Sequence, residues 1–143
     1  MNILPGLEST ASALSAEKVR LDIIGQNIAN AQTTRGPDGK PYARQTVSFE
    51  SKLMEVGTKE DGSKIYSTGV QIKSIDTDER AGNVVYNPNH PDADEEGNVR
   101  MPNVNLTHEM VDMIAASRSY EANLQVVRTS KQMAQQALRI GKA

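Results

Sequence analysis

Apolar residues recur at helical spacing at both ends of the chain and alternate with polar ones only between them. Near the N-terminus Leu7, Leu14, Leu21 and Ile28 repeat every seven residues, with Ala11 and Ile24 on intermediate positions of the same stripe. This spacing predicts a helix from about Leu7 or Ser9 to Asn30, entered through the turn-forming pair Pro5-Gly6. Near the C-terminus Leu106, Met110, Met113, Ser117, Tyr120, Leu124, Val127, Lys131, Ala134 and Leu138 alternate steps of four and three, the seam of a coiled coil. Asn105 is its expected N-cap, Glu109 suits its first turn, and Gly141 follows its last apolar residue.

The C-terminal helix carries a second apolar stripe, made of Val111, Ile114, Ala115, Ala122, Val126, Met133, Ala137 and Ile140. One partner helix covers one stripe, so a helix apolar on two faces calls for burial on several sides. In a chain of 143 residues with no other convincing long helix, part of that burial has to come from other molecules. Leu7, Leu14, Leu21, Ile28, Leu106, Met110, Met113, Tyr120, Leu124, Val127 and Leu138 are therefore assigned to helix pairing within the chain. Val111, Ile114, Val126, Met133, Ala137 and Ile140 are assigned to contacts between subunits.

Between the helices the period falls to two. Val47, Phe49 and Leu53 alternate with polar neighbours from Tyr42 to about Val56. Asp61-Gly62 is a hairpin-turn pair, with a return strand at Ile65-Tyr66 and further strands at Val70–Ile75 and Val84–Tyr86. Gly36-Pro37-Asp38-Gly39 is a turn cluster, and Asn87 to Asn103, rich in Pro, Asn, Asp and Gly, reads as an ordered loop or connector. The expected architecture is mainly α with a small β-rich insert, two antiparallel coiled-coil-like terminal helices flanking a β/loop domain. Its divisions are 1–31 for the N-terminal helix, 32–104 for the insert and 105–143 for the C-terminal helix.

Composition narrows the function. A hydrophobic content of 37%, with one Phe and no Trp, leaves little for a large independent core. The net charge of −2 provides no basic footprint for nucleic acid and no polybasic membrane patch. Absence of Cys removes disulfides, thiol nucleophiles and cysteine-held zinc. Met1 to Thr10 lack the basic and apolar regions of a cleaved secretion signal, so export, if it occurs, is expected to use another route.

The chemistry-bearing residues are few. Asp92, Asp94, Glu96 and Gly97 imitate the start of a calcium-binding loop, but its twelfth position is Asn103 rather than Glu, and a solvated acidic loop is the expectation. His90 and His108 have no partner at ligand spacing, and His90 is expected to pack in a turn. No phosphate loop, nucleophile elbow or triad stands out, so neither a cofactor nor a small-molecule substrate nor an enzymatic activity is expected. The heptads by themselves equally suit an ordinary intramolecular helical hairpin, as in a soluble adaptor or secretion chaperone.

Ile28-Ala29-Asn30-Ala31-Gln32-Thr33-Thr34-Arg35-Gly36 resembles the Ala-Asn-x-x-Thr-x-Gly signature that closes the N-terminal helix of bacterial flagellar rod and hook proteins. Arg35 departs from the small residue or proline usual there. The segments Pro102 to Asn105, Glu109 to Ile114 and Ser117-Arg118-Ser119-Tyr120-Glu121-Ala122-Asn123 look like the C-terminal signature of the same family. Its candidate motif residues are thus Ala29, Asn30, Thr33, Gly36, Glu109, Met110, Arg118, Tyr120, Ala122 and Asn123. Asn87 to Gly97 is similar to a block that marks one proximal rod protein among its relatives, FlgB being the rival within the family.

The resemblance implies a structural subunit of the basal-body rod that crosses the periplasm, made in the cytoplasm and exported through the flagellar type III apparatus. It implies other rod subunits, FlgB, FlgF, FlgG and FliE, as partners, and a monomer before assembly. Phe49 and Leu53 resemble the Phe-x-x-x-hydrophobic export signal of the family, although a strand turning both toward a core suits them equally.

Overall fold

The computed structural model describes residues 4–58 and 62–141. Two terminal helices enclose a small antiparallel sheet region in the order α1 (Leu4–Ala29), β1 (Gln45–Thr58), β2 (Lys64–Thr77), β3 (Val84–Tyr86), β4 (Asn98–Arg100) and α2 (Leu106–Ile140). Helix α1 begins before the expected Leu7; Pro5 sits in its first turn, where a missing N–H breaks no intrahelical bond. Its end is built by the motif residues. The Asn30 side-chain amide donates to the Gln26 carbonyl at 2.9 Å, and its Oδ1 accepts the Thr33 hydroxyl at 3.2 Å. The Thr33 carbonyl then accepts the Tyr42 N–H at 3.0 Å, which turns the chain toward β1.

Strands β1 and β2 form one two-stranded ribbon of 14 residues each. At its base the Asp78 N–H meets the Arg44 carbonyl at 2.8 Å, so the first strand starts opposite the end of the second. The expected breaks between Ile65-Tyr66 and Val70–Ile75 are absent, because β2 runs through all of them. Gly62 has the positive φ of 81° expected of the turn, while Asp61 lies outside the described residues.

Strand β3 falls where the pattern placed it. It pairs antiparallel with β4, Val85 opposite Val99. Strand β4 lies within the expected connector, where three residues with one apolar side chain give no period; Val99, 2% exposed, is that side chain. Two glycines hold this region tight. Gly97 has a φ of 80° with the Tyr86 ring 2.9 Å from where a Cβ would stand, and a Cβ on Gly82 would meet the Met101 carbonyl oxygen at 1.8 Å. The glycine that imitates a calcium loop is thus required by the turn itself.

The chain divides into two compact units: Met1–Val19, Ser48–Ser74 and Ala116–Ala143, and Arg20–Val47 with Ile75–Ala115. In the first, Ala16 and Ala116 are buried, and the Ser119 hydroxyl donates to Glu17 Oε1 at 3.2 Å. There α1 also touches β2, the Ser9 hydroxyl donating to the Thr68 carbonyl at 2.7 Å and the Val70 N–H to Ser12 Oγ at 3.0 Å. In the second, Ile23, Ile24, Val99, Asn27 and Glu109 are among the buried residues. Among the described residues, no helix is long and apolar enough to cross a membrane.

Candidate functional site: a polar clasp and an open helical stripe

The second unit is closed by polar groups. Asn105 caps α2, its Oδ1 accepting the His108 N–H at 3.2 Å, which puts Glu109 one turn into the helix. The Glu109 side chain is fully buried. Its Oε1 accepts Arg44 Nε at 2.6 Å and its Oε2 accepts Asn27 Nδ2 at 2.9 Å. Asn27 spends every hydrogen-bonding group it has: Nδ2 also donates to the Gln45 carbonyl at 2.8 Å, and Oδ1 accepts both the Gln45 N–H and the Tyr42 hydroxyl at 2.9 Å.

Asn103 extends the clasp. Its Oδ1 accepts the Arg44 N–H at 2.7 Å, and its Nδ2 donates to the carbonyls of Asp78 at 2.8 Å and Arg80 at 3.0 Å. Residues from α1, the approach to β1, the exit from β2, the connector and α2 therefore share one saturated network, the condition under which buried polar groups stabilise a fold. Burial first, and the Glu109 carboxylate second, push the Tyr42 phenol above its ordinary pKa. The Arg80 guanidinium holds the Asp78 carboxyl at about 2 through side-chain and then backbone hydrogen bonds. A cleft of about 580 Å³ beside the clasp is lined by both guanidiniums, but Arg44 already faces Glu109 and Asp112, and Arg80 faces Asp78.

The acidic loop is built from its own turns. Asp94 Oδ1 accepts the N–H groups of Glu96 at 3.0 Å and Asn98 at 2.8 Å, and His90 sits in a turn with Nδ1 accepting the Asp92 N–H at 3.1 Å. Asp92 reaches back to the α1 motif, taking the Thr34 hydroxyl at 2.8 Å and standing 3.4 Å from Arg35 Nε, so the residue that departs from the family pattern faces a counter-charge.

Helix α2 opens where the clasp ends. Val111 is 61% exposed, Ile114 57%, Val126 50%, Met133 54% and Ile140 78%, with Ala122 and Ala137 exposed beside them. Met113, Tyr120, Asn123, Leu124 and Val127 are half-buried on the other side, in line with buried Glu109 and Ala116. Leu106, Met110 and Leu138, assigned to helix pairing, are instead largely exposed. On α2 the fully buried residues are Glu109 and Ala116, each one position before Met110 and Ser117 of the expected seam, and of that seam Ser117 and Leu124 are half-buried while Met110 and Lys131 are exposed. On α1, Leu7, Leu14, Leu21 and Ile28 are half-buried, and the closest packing falls on Ala16, Ile23, Ile24 and Asn27.

Of the remaining motif residues, Ala29 and Arg118 are exposed and Gly36 joins the turn through its N–H to the Lys40 carbonyl at 2.7 Å. Phe49 and Leu53 do not enter a core; both stand exposed on β1, Leu53 at 66%. Asn27, Tyr42 and Arg44 were not singled out in the sequence.

Residues 7–37 match the family model described as flagella basal body rod protein, and residues 95–140 match the flagellar basal body rod FlgEFG protein C-terminal model. These matches fall on α1 with its motif turn and on α2 with the loop before it, which defines the class as flagellar basal-body rod proteins. The flagellar basal-body rod protein FlgC of Borreliella burgdorferi is 40% identical over 98% of both chains. FlgC of Bacillus subtilis is 39% identical over 99% of this chain and 100% of its own, and that of Salmonella typhimurium 37% over 99% of each. The chain belongs to the FlgC family of rod proteins and is a structural subunit of the flagellar basal-body rod.

Proposed function

We propose that the subunit polymerises through its terminal helices, 1–31 and 105–143, as an inner helical layer, with residues 32–104 carried outside it. The observation that carries this reading is the open stripe on α2: Val111, Ile114, Val126, Met133 and Ile140 are each at least half exposed on one chain, where covering the exposed part of each against a neighbour would contribute about 1 to 2 kcal/mol. Pairing of the helices is supported within each unit by itself, by Asn27 meeting Glu109 in one and Glu17 meeting Ser119 in the other.

The role is structural rather than catalytic. Its partners are other rod subunits, FlgB, FlgF, FlgG and FliE, in the periplasm-crossing rod, and the flagellar type III export apparatus is its route there without a cleaved signal. Exposure of Phe49 and Leu53 on a strand favours their reading as an export signal over a packing role. Hydrogen exchange on the dilute monomer tests the scheme. Residues 116–140 are expected to exchange freely while the clasp residues are protected, because a helix lacking its partners is marginal in water. Uniform protection along α2 would sink it.

A further inference from the structure

The chain carries two exposed patches of opposite charge, each with apolar residues beside it. One lies on the last turns of α2. From Val126 to Ile140 there are three basic residues, Arg128, Lys131 and Arg139, and no acidic one; at about 3.6 residues per turn the three share one face of α2 with Leu138, which is 68% exposed, while Met133 and Ile140 lie on the opposite flank in the open stripe. No ion pair is recorded for these three cations among the described residues. The other patch lies on the β3–β4 arm of the second unit. All of β3 is exposed, with Val84 at 58%, Val85 at 47% and Tyr86 at 71%, and the turn joining it to β4 presents Asp94, Glu95 and Glu96. From Val84 to Val99 there is no Lys or Arg; Arg100, exposed at the end of β4, pairs with Val84 at the base of the arm, at the far end from the acidic turn.

We infer that these patches are the two sides of one head-to-tail interface between copies of this chain, the α2 end of one copy docking on the β3–β4 arm of the next. This deepens the proposed assembly and rests on it. The three cations beside Leu138 match in number and sign the three carboxylates beside Val84, Val85 and Tyr86, the arrangement in which charge sets partner and register while burial supplies affinity. The patches differ from each other, so the contact is heterologous, and a heterologous contact propagates into a ring or an open helix rather than closing as a dimer. The acidic arm is stiff enough to serve as a docking element, since Asp94, Gly97 and the β3–β4 pairing fix its turn.

The chain has no Cys, so disulfide trapping is clean. Basal bodies purified from the parent bacterium carrying Glu95→Cys and Lys131→Cys on one chain are expected to yield a ladder of disulfide-linked copies under oxidation, and either single variant none. Incorporated double variant without a ladder, or dimers from a single variant, would overturn the interface. Charge reversal provides the second arm. Arg128→Glu with Lys131→Glu should lower incorporation by about tenfold or more, and adding Glu95→Lys with Glu96→Lys should restore it. Failure of that rescue counts against the proposal, whereas absence of the unmodified chain from basal bodies would instead overturn the rod-assembly reading beneath it.

Discussion

Two glutamates on facing helices show how differently the two units are finished. Glu109 is fully buried and both its oxygens are taken, by Arg44 and Asn27. Glu17, in the other unit, accepts the Ser119 hydroxyl on one oxygen, while its buried Oε2 has no hydrogen-bond partner among the described residues. Around Glu109 the chain has supplied from within itself everything a buried polar group needs. Around Glu17 the packing is small, with Ala16 and Ala116 at the contact, and α2 leaves its apolar stripe open. The clasp unit pairs its buried polar groups within one molecule; on the proposed assembly, the helical unit is the half that neighbours would finish. A polymerising subunit gains from that division, because a self-sufficient part fixes the geometry while the incomplete part folds fully only where partners are present.

The same substitution at both glutamates breaks this comparison most sharply. Glu109→Met leaves the Arg44 guanidinium and the Asn27 amide facing a buried thioether, and is expected to destabilise the monomer by about 3 to 5 kcal/mol, the range for removing one partner of a buried ion pair. Urea unfolding followed by circular dichroism measures it, and a change under about 1 kcal/mol would show the clasp to be dispensable.

Next in size is the open stripe. Val126→Asp with Met133→Asp should leave monomer stability within about 0.5 kcal/mol, since both side chains are already half in water. The same pair should abolish incorporation into rods, by forfeiting about 1 kcal/mol per side chain and burying charge at the contact. Recovery of the variant in purified basal bodies at the normal level would contradict the interface assignment. Glu17→Met completes the series with the smallest mutational effect, below about 1 kcal/mol in the monomer, because it removes one hydrogen bond and one unsatisfied oxygen together. A loss as large as that of Glu109→Met would erase the distinction between the units.

How far the sequence revealed this division depends on the range of the signal. Both helices, the Asn105 cap and strand β3 were legible because period, capping residue and β-branched run are written in neighbouring positions. The exposed stripe of α2 was legible for the same reason. The clasp was not, since Asn27 and Glu109 are 82 positions apart and each looks locally like a solvated helical residue. Counting apolar side chains also shifted the helical seam: Glu109 and Asn27 lie at the core because of what they bond, and Met110 and Leu138 lie outside although they are apolar. Strand β2 is divided in the sequence into Ile65-Tyr66 and Val70–Ile75, since Ser67, Thr68 and Gly69 between them carry no apolar side chain; pairing along β1 and α1's bonds to Thr68 and Val70 carry the strand through them.

Acid titration separates the units by the mildest perturbation. Asp78 lies in the clasp unit, with its carboxylate accepting Arg80 Nε at 2.9 and 3.0 Å and the Arg80 N–H at 3.0 Å, and these bonds lower its pKa to about 2 from the ordinary 3.8. A carboxyl whose folded pKa lies below its unfolded one binds fewer protons in the native state, so its contribution is present above about pH 4 and is lost as pH falls toward 2. Asp78→Asn cannot lose that contribution a second time. Its unfolding free energy should therefore fall less steeply than that of the unmodified chain between pH 4 and 2, with parallel profiles from pH 5 to 7. The effect is small because the pair faces solvent, where an ion pair is screened by water and salt, and it should shrink further when salt is raised. Profiles that stay parallel down to pH 2 would mean that the Asp78–Arg80 bonds do not hold in solution.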